Sequence, residues 1–239
     1  MDARPAVDDR TALLAFIAGD PVLARLRDEA AARDAATAAN GGADPTHDIE
    51  HALRVARWTI RIGGDAVDPR EAVMAALLHD AVNLPKNAPD RHTASERSAA
   101  FARERLTALG VPQAARDRVA DAVRDHAFSR GAEPATPLGH ALQDADRLEA
   151  LGAIGLMRTI ATGVRMDARW FDADDPWAER RPLDDRTFSV DHFFAKLLRL
   201  PGTMRTAAGR AEAERRARLL EAFLAALADE LGVAPPGQA

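Results

Sequence analysis

The dipeptide His79-Asp80 combines two residue types that bind metals and transfer protons, and it lies in an apolar setting. It directly follows the apolar run 75–78, so both side chains should be buried or border a cavity. A buried imidazole or carboxylate is unfavourable unless it is paired or bound to a metal. The chain has two His-Asp dipeptides, and chance alone would supply about one. The dipeptide therefore indicates a metal site only because of its apolar setting. The alternative is a structural role, with Asp80 as a helix cap beside a core histidine.

Two further segments carry histidine and aspartate at spacings that can share one ion. His47 and His51 are four residues apart, so on a helix they lie on one face, although an exposed histidine pair is more often inert. His51 stands where the apolar face begins, at the border of core and cavity. Asp144 and Asp146 lie in a leucine-rich helix, where interior carboxylates need a partner. A surface pair of Asp146 with Arg147 is the alternative, which the apolar neighbours disfavour.

Helical periodicity over nearly the whole chain supplies the elements that must position these residues. Ala and Leu are abundant, β-branched residues are sparse, and no segment shows a convincing strand alternation. A polar segment, 167–185, is predicted to be a long surface loop. Helices are predicted over about 11–18, 21–38, 46–63, 69–83, 93–109, 112–127, 138–162, 189–200 and 206–231. The predicted fold class is all-α.

The domain organisation is predicted from what the chain lacks. No internal repeat and no low-complexity linker interrupts it, so a single domain over 1–239 is expected. Within that domain, N-terminal helices occupy 1–40, and a disordered Pro-Pro-Gly tail occupies 232–239.

Composition excludes several classes of function. The chain has 32 basic and 37 acidic residues, and its net charge of −5 argues against binding nucleic acid or a membrane surface through bulk charge. The absence of cysteine excludes disulfides, thiolate metal sites and cysteine nucleophiles. A polar start, 1–9, and the lack of a long apolar stretch predict a soluble, cytoplasmic protein.

Three motifs, taken in chain order, resemble the HD-domain superfamily of metal-dependent phosphohydrolases. They are His51-x-x-Arg54-Val55, His79-Asp80 after an apolar helix, and Ala145-Asp146 in a later helix. The resemblance covers 46–231, and the segment 143–155 is similar to a bacterial single-domain subgroup. It implies an orthogonal helical bundle in which separate helices supply the metal ligands. Those ligands are His51, His79, Asp80 and Asp146.

The sequence departs from the family pattern at two places. Glu149 stands where the subgroup often has aspartate, and we expect this change to be harmless. The Ile-Gly-Lys that follows His-Asp in some signalling members is absent, which argues against a cyclic-dinucleotide phosphodiesterase.

The implied ligand set suggests both a cofactor and a reaction. Two imidazoles and two carboxylates suit Mn²⁺, Fe²⁺, Co²⁺, Ni²⁺, Zn²⁺ or Mg²⁺ and do not select among them. The resemblance implies hydrolysis of a phosphoester or phosphoanhydride of a small molecule, with a nucleotide favoured and Asp80 or Asp144 assisting proton transfer. Two alternatives stay open: a non-catalytic regulatory module that binds metal and nucleotide, and an oxygenase whose second iron uses His47 or His126. A homodimer is left open, whereas no nucleic acid or membrane partner is expected.

The loop 83–91, directly after the metal dipeptide, is predicted to clamp phosphate, and a solvated loop is the alternative. It carries Asn83, Lys86 and Arg91, and Lys86 is expected to neutralise charge on the transferring phosphoryl group. The predicted substrate residues elsewhere in the chain are His126, His192 and Lys196. His126 also fits an acid, a second-metal ligand or a satisfied histidine at a helix end.

Overall fold

The computed structural model describes residues 7, 9–39, 48–84, 90–127 and 131–237. These ranges contain ten α-helices and no β-strand, and their β-type pairing is one isolated bridge between Arg169 and Phe188. The helices are α1 (Arg10–Ala18), α2 (Pro21–Ala39), α3 (Ile49–Gly63), α4 (Pro69–Leu78), α5 (Ala94–Ala108), α6 (Gln113–Asp125), α7 (Pro137–Leu148), α8 (Gly152–Arg165), α9 (Asp191–Ala195) and α10 (Ala207–Leu231). The all-α prediction is confirmed. None of the described helices is long and apolar enough to cross a membrane.

The chain divides into two compact units, 1–146 and 147–239. The first contains α1 to α6 and most of α7, and the second contains α8 to α10. A single domain over the whole chain stays a prediction. Within the second unit, Trp177 Nε1 donates a hydrogen bond to the carbonyl oxygen of Ala234, 2.8 Å away, in the segment predicted as a tail.

Helix α4 lies at the core of the first unit because it is apolar on all sides from Ala72 onward. Every residue from Ala72 to Leu78 is at most 3% exposed, and the helix packs on α2, α3, α5 and α6. Asp68 fixes its start, since the carboxylate accepts the backbone N–H of Arg70 at 2.7 Å. Pro69 occupies the first turn, where its missing N–H has no cost. The residues after Leu78 are therefore held in the interior of this unit.

Helix α3 brings His51 to the interior of the same unit. Asp48 caps the helix, and its carboxylate accepts the backbone N–H of His51 at 2.9 Å. Val55 and Ile60 continue the buried face along the helix. His51 therefore lies in the first turn of an amphipathic helix, on the side that faces the core.

The prediction of one long helix over 138–162 is wrong, because α7 and α8 are separate helices with a break at 149–151. Gly152 begins α8 with φ of 68°, in the left-handed region that glycine adopts without strain. The carbonyl of Leu148, in the last turn of α7, accepts a hydrogen bond from Arg216 Nη1 at 2.6 Å. This bond satisfies a carbonyl that the helix end leaves open. The break depends on the positive φ of Gly152 and on the distant Arg216, and the pattern of apolar residues predicts neither.

The predicted helix over 189–200 is also shorter in the structure. Helix α9 ends at Ala195, and a 3₁₀ helix, Leu197–Thr203, follows with Pro201 inside it. Proline has no backbone N–H to donate, which disfavours an α-helix through this point. The segment 167–185 is irregular, as predicted, although Asp175 and Trp177 within it are buried.

Candidate metal centre

His79 immediately follows α4, and its ring lies in the core of the first unit. The residue is 1% exposed, and its Nδ1 is 2.7 Å from the carbonyl oxygen of Ala76. Because a carbonyl can only accept, Nδ1 carries a proton, and the neutral ring presents the Nε2 lone pair to the site. Metal-binding histidines are commonly oriented by such a bond on the opposite ring nitrogen.

The four residues predicted as metal ligands converge in the first unit. Nε2 of His51 lies 3.2 Å from Nε2 of His79. Asp146, on α7, places Oδ1 3.5 Å from the His51 nitrogen and 3.9 Å from the His79 nitrogen. Asp80 places Oδ2 3.3 Å from the His79 nitrogen and 4.0 Å from the His51 nitrogen. Three separate parts of the chain therefore bring two imidazoles and two carboxylates together.

The spacing of these donor atoms fits one six-coordinate ion. Two ligand atoms about 2.1 Å from an ion lie about 3.0 Å apart at a right angle and about 4.2 Å apart when opposite. The distance between the two imidazole nitrogens and those from each nitrogen to each carboxylate run from 3.2 to 4.0 Å, inside that interval. Nitrogen and carboxylate oxygen in equal number match a divalent transition metal. Four protein donors would leave two positions for water and substrate.

His126 joins the cluster from the end of α6. Its Nδ1 lies 2.6 Å from the carbonyl oxygen of Val123, so this ring is oriented in the same way as that of His79. Its Nε2 is 3.6 Å from Oδ1 of Asp80, whereas Oδ2 of Asp80 faces His79. His79, Asp80 and His126 thus form a second group that could hold a metal ion. The alternatives predicted for His126 remain open.

The electrostatics of the cluster favour a bound cation. Burial lowers the pKa of His79, but the Asp80 and Asp146 carboxylates outweigh this effect and raise the pKa to about 9. Burial raises the pKa of Asp80, yet His79 and His126 hold it well below its usual range. The pKa of Asp146 is also lowered, because the neighbouring histidines overcome the effect of burial. An ion that binds here would therefore replace a proton.

Asp144, the other predicted acid, has a different environment from Asp80. It is fully buried on α7, whereas the Asp80 side chain is 30% exposed. Backbone carbonyls orient the rings of His79 and His126. The structure therefore favours Asp80 as the acid with access to solvent.

The predicted phosphate-clamp loop is described only in part. Asn83 is exposed, and the guanidinium of Arg91 donates to the carbonyl oxygen of Leu84. Lys86 lies outside the described residues, as does His47. The clamp therefore stays a prediction.

The second unit contains the two remaining candidates for substrate binding, His192 and Lys196. Nδ1 of His192 lies 2.8 Å from Oδ2 of Asp185. Lys196 follows the last residue of α9, and both candidates are half-buried. Their role in substrate binding stays a prediction.

An open pocket adjoins the histidine cluster within the first unit. Helix α2, the start of α3 and the end of α4 line it. The lining residues are Ala30, Arg33, Asp34, Asp48, Ile49, His51, Ala52, Ala76, Leu77, His79, Asp80 and Ala81. The contribution of α2 was not predicted. Its only sequence signal is the spacing of Ala30, Arg33 and Asp34 on one helix face, which fits a solvated surface equally well.

Comparison with known proteins places this geometry in a family. The sequence model of the HD domain matches residues 48–151, the segment that contains all four convergent residues. The protein YpgQ of Bacillus subtilis is 31% identical over 191 residues, which cover 77% of this chain and 84% of YpgQ. The crystal structure of YpgQ in complex with ADP is 26% identical, covers 89% of this chain and 97% of that one, and gives a TM-score of 0.65. An HD-superfamily hydrolase of Bacillus thuringiensis is 30% identical, covers 79% of this chain and 88% of that one, and gives a TM-score of 0.60.

The fold and the site therefore define an all-α protein with a histidine–aspartate cluster able to hold a divalent metal. The chain belongs to the HD-domain superfamily. Membership supports metal-dependent hydrolase activity.

Proposed function

We propose that the protein hydrolyses a phosphoester or phosphoanhydride of a small molecule, with a nucleotide as the favoured substrate. One observation carries the proposal: the Nε2 atoms of His51 and His79 lie 3.2 Å apart, and carboxylate oxygens of Asp80 and Asp146 each lie within 3.3 to 4.0 Å of both nitrogens, beside an open pocket. A divalent ion held by these residues would supply Lewis-acid polarisation of a phosphoryl oxygen and lower the pKa of water.

The side chains of this cluster have distinct roles in the proposal. His51 and His79 present nitrogen donors, and the Ala76 carbonyl keeps the His79 ring in the required orientation. Asp80 is the better candidate for proton transfer, because its carboxylate is partly exposed at the pocket whereas that of Asp144 is fully buried. Lys86, on the loop that follows, is proposed to neutralise charge on the transferring group.

A nucleotide is favoured by one of the structural relatives. YpgQ of Bacillus subtilis has been crystallised in complex with ADP, and that structure covers 89% of this chain. A phosphate chain would reach the ion while the rest of the molecule occupies the pocket. The proposal assigns no base preference.

The test combines elemental analysis with a product assay. Untagged protein, supplied in turn with Mn²⁺, Co²⁺, Ni²⁺, Zn²⁺ and Mg²⁺, is screened for release of phosphate and pyrophosphate from nucleotides and small phosphoesters. We expect turnover with at least one metal, and Asp80→Asn should abolish it. Asp28→Asn, which removes an exposed acid on α2, serves as the matched control and should behave like wild type. Protein that holds metal but turns over no phosphate compound would contradict hydrolysis and favour the regulatory module.

A further inference from the structure

Helix α2 lies outside the segment matched by the family model, yet it lines the pocket beside the metal cluster. Ala30, Arg33 and Asp34 supply its lining side chains. Among the described residues that line the pocket, Arg33 is the one arginine, and none is a lysine. The other charged side chains there, histidines aside, are carboxylates: Asp34, Asp48 and Asp80.

The acids near Arg33 are engaged with other groups. Asp34 accepts the backbone N–H of Ile49, which helps to cap α3. Glu29, one turn earlier on α2, accepts from Arg105 Nε at 2.7 Å and from Arg25 Nε at 3.1 Å. Both carboxylates attract Arg33 only at longer range.

The Arg33 guanidinium makes no hydrogen bond or ion pair with any residue in the described ranges. Its contact there is with an aromatic ring, since Cζ lies 5.4 Å from the ring centroid of Phe101 on α5. Burial lowers its pKa, which the Glu29 and Asp34 carboxylates partly offset, and a guanidinium stays charged at neutral pH. Arg33 is therefore a partly desolvated cation that lies near an aromatic ring and whose donors have no acceptor within the described ranges.

We infer that Arg33 binds the phosphate groups of the ligand in the metal pocket. A planar guanidinium can donate two parallel hydrogen bonds to one phosphate, and such charge-assisted bonds are among the strongest in proteins. The inference rests on the proposed function for its choice of ligand. It adds α2 to the substrate site and assigns specificity for phosphorylated over unphosphorylated molecules to a residue outside the HD motifs.

The test is isothermal titration of Mn²⁺-loaded full-length protein with two probes, ADP and inorganic pyrophosphate. Arg33→Gln should weaken binding of both anions about 10- to 100-fold, the usual loss for a hydrogen bond between charged groups. Its Mn²⁺ affinity should stay within about twofold of wild type, because Arg33 is not a metal ligand. Arg33→Lys should restore binding only in part, since an ammonium cannot form the two-pronged contact.

Arg27→Gln is the matched control, because it removes the same charge from α2 at a position that does not line the pocket. It should bind both probes like wild type. If Arg33→Gln fails to fold, Arg33→Lys decides: anion affinity equal to wild type would overturn the inference. It is overturned too if wild type binds neither probe, or if Arg33→Gln binds both as tightly as wild type. Arg33-dependent binding without any turnover would refute the proposed function and leave the inference standing.

Discussion

The two units each bury a cluster of charged groups, and the two clusters are completed in different ways. In the second unit, the fully buried Asp191 accepts from Arg181 Nη2 at 2.8 Å and from the backbone N–H of Asp184 at 2.7 Å. Arg181 also stacks on Phe188, with Cζ 4.3 Å from the ring centroid. That cluster contains both its anion and its cation.

The cluster in the first unit has the opposite character. The carboxylates of Asp80 and Asp146 face imidazole nitrogens, which also face each other. Without an ion, the neighbouring imidazoles balance these acids, and the carboxylates in turn raise the pKa of His79 to about 9. A buried charge that is paired within the chain is costly to unpair, whereas converging carboxylates and imidazoles with perturbed pKa values are typical of a binding site.

The largest expected effect is a loss of metal binding, which should follow from a substitution in the first cluster and not from one in the second. Asp146→Ala should weaken metal binding by about 100-fold or more, because a direct ligand is lost and even supporting groups commonly account for tenfold to 100-fold. The helical fold should remain, as judged by circular dichroism. If elemental analysis and metal titration show that this variant holds metal as tightly as wild type, the acid is wrongly assigned and Asp144 becomes the candidate.

In the second cluster, the equivalent substitution should affect stability instead. Asp191→Ala leaves Arg181, whose side chain is 20% exposed, without its buried partner, which should lower the free energy of unfolding by about 1–3 kcal/mol. Metal bound per folded chain should not change. Urea denaturation measures the loss, and Asp174→Ala, at an exposed position nearby, should shift stability by no more than about 0.5 kcal/mol. If Asp191→Ala and Asp174→Ala lower the free energy of unfolding equally, the buried ion pair of Asp191 makes no particular contribution to stability.

Substitutions of Lys86 test whether the loop after the first cluster supplies a positive charge to the site. Lys86→Ala should lower kcat about 100-fold, the usual loss for one donor to developing charge, while metal content and Tm stay near wild type. Lys86→Arg should recover part of the activity. Arg97→Ala, which removes an exposed cation from α5, is the control. Steady-state kinetics with equal kcat for wild type and Lys86→Ala would refute the role.

The pH dependence should be the smallest effect, and it has opposite signs for the metal-free and the metal-bound protein. The folded pKa of His79, about 9, lies above the ordinary 6.5, so its contribution to metal-free stability is complete below pH 6.5 and is lost as pH rises through 9. Metal must displace that proton, so affinity should rise about tenfold per pH unit below 9. Thermal denaturation and Mn²⁺ titration between pH 6.5 and 8.0 measure the two trends. A metal affinity that does not change with pH would contradict the raised pKa.

Sequence reasoning was most successful where local pattern and chemistry coincide. The apolar run before His79 correctly indicated that this side chain is buried. The abundance of Ala and Leu and the lack of strand-like alternation correctly predicted an all-α fold. The resemblance named His51, Asp80 and Asp146, and the structure brings both carboxylates within 4.0 Å of the His51 ring nitrogen, although the roles of these residues as ligands stay predictions.

The failures concern features that a local pattern does not encode. The break before α8 requires a positive φ at Gly152 and a bond from Arg216, which lies far along the chain. Arg33 reaches the pocket only because α2 packs on α4, and its spacing alone resembles any solvated helix face. Which histidine faces each Asp80 oxygen likewise depends on tertiary packing. The sequence therefore could not choose among the roles proposed for His126.

The tight packing of α4 limits which parts of this site can change during evolution. Ala72, Ala75 and Ala76 have no exposed surface, so almost any larger side chain there would displace a neighbour at a cost of about 1–3 kcal/mol. The helix that holds His79 therefore has little freedom to vary in side-chain volume. The half-buried positions of α2 on the pocket wall, such as Arg33, are less tightly packed and should accept a wider range of side chains. New ligand preferences in this scaffold would therefore arise from α2, while the metal-binding end of α4 stays fixed.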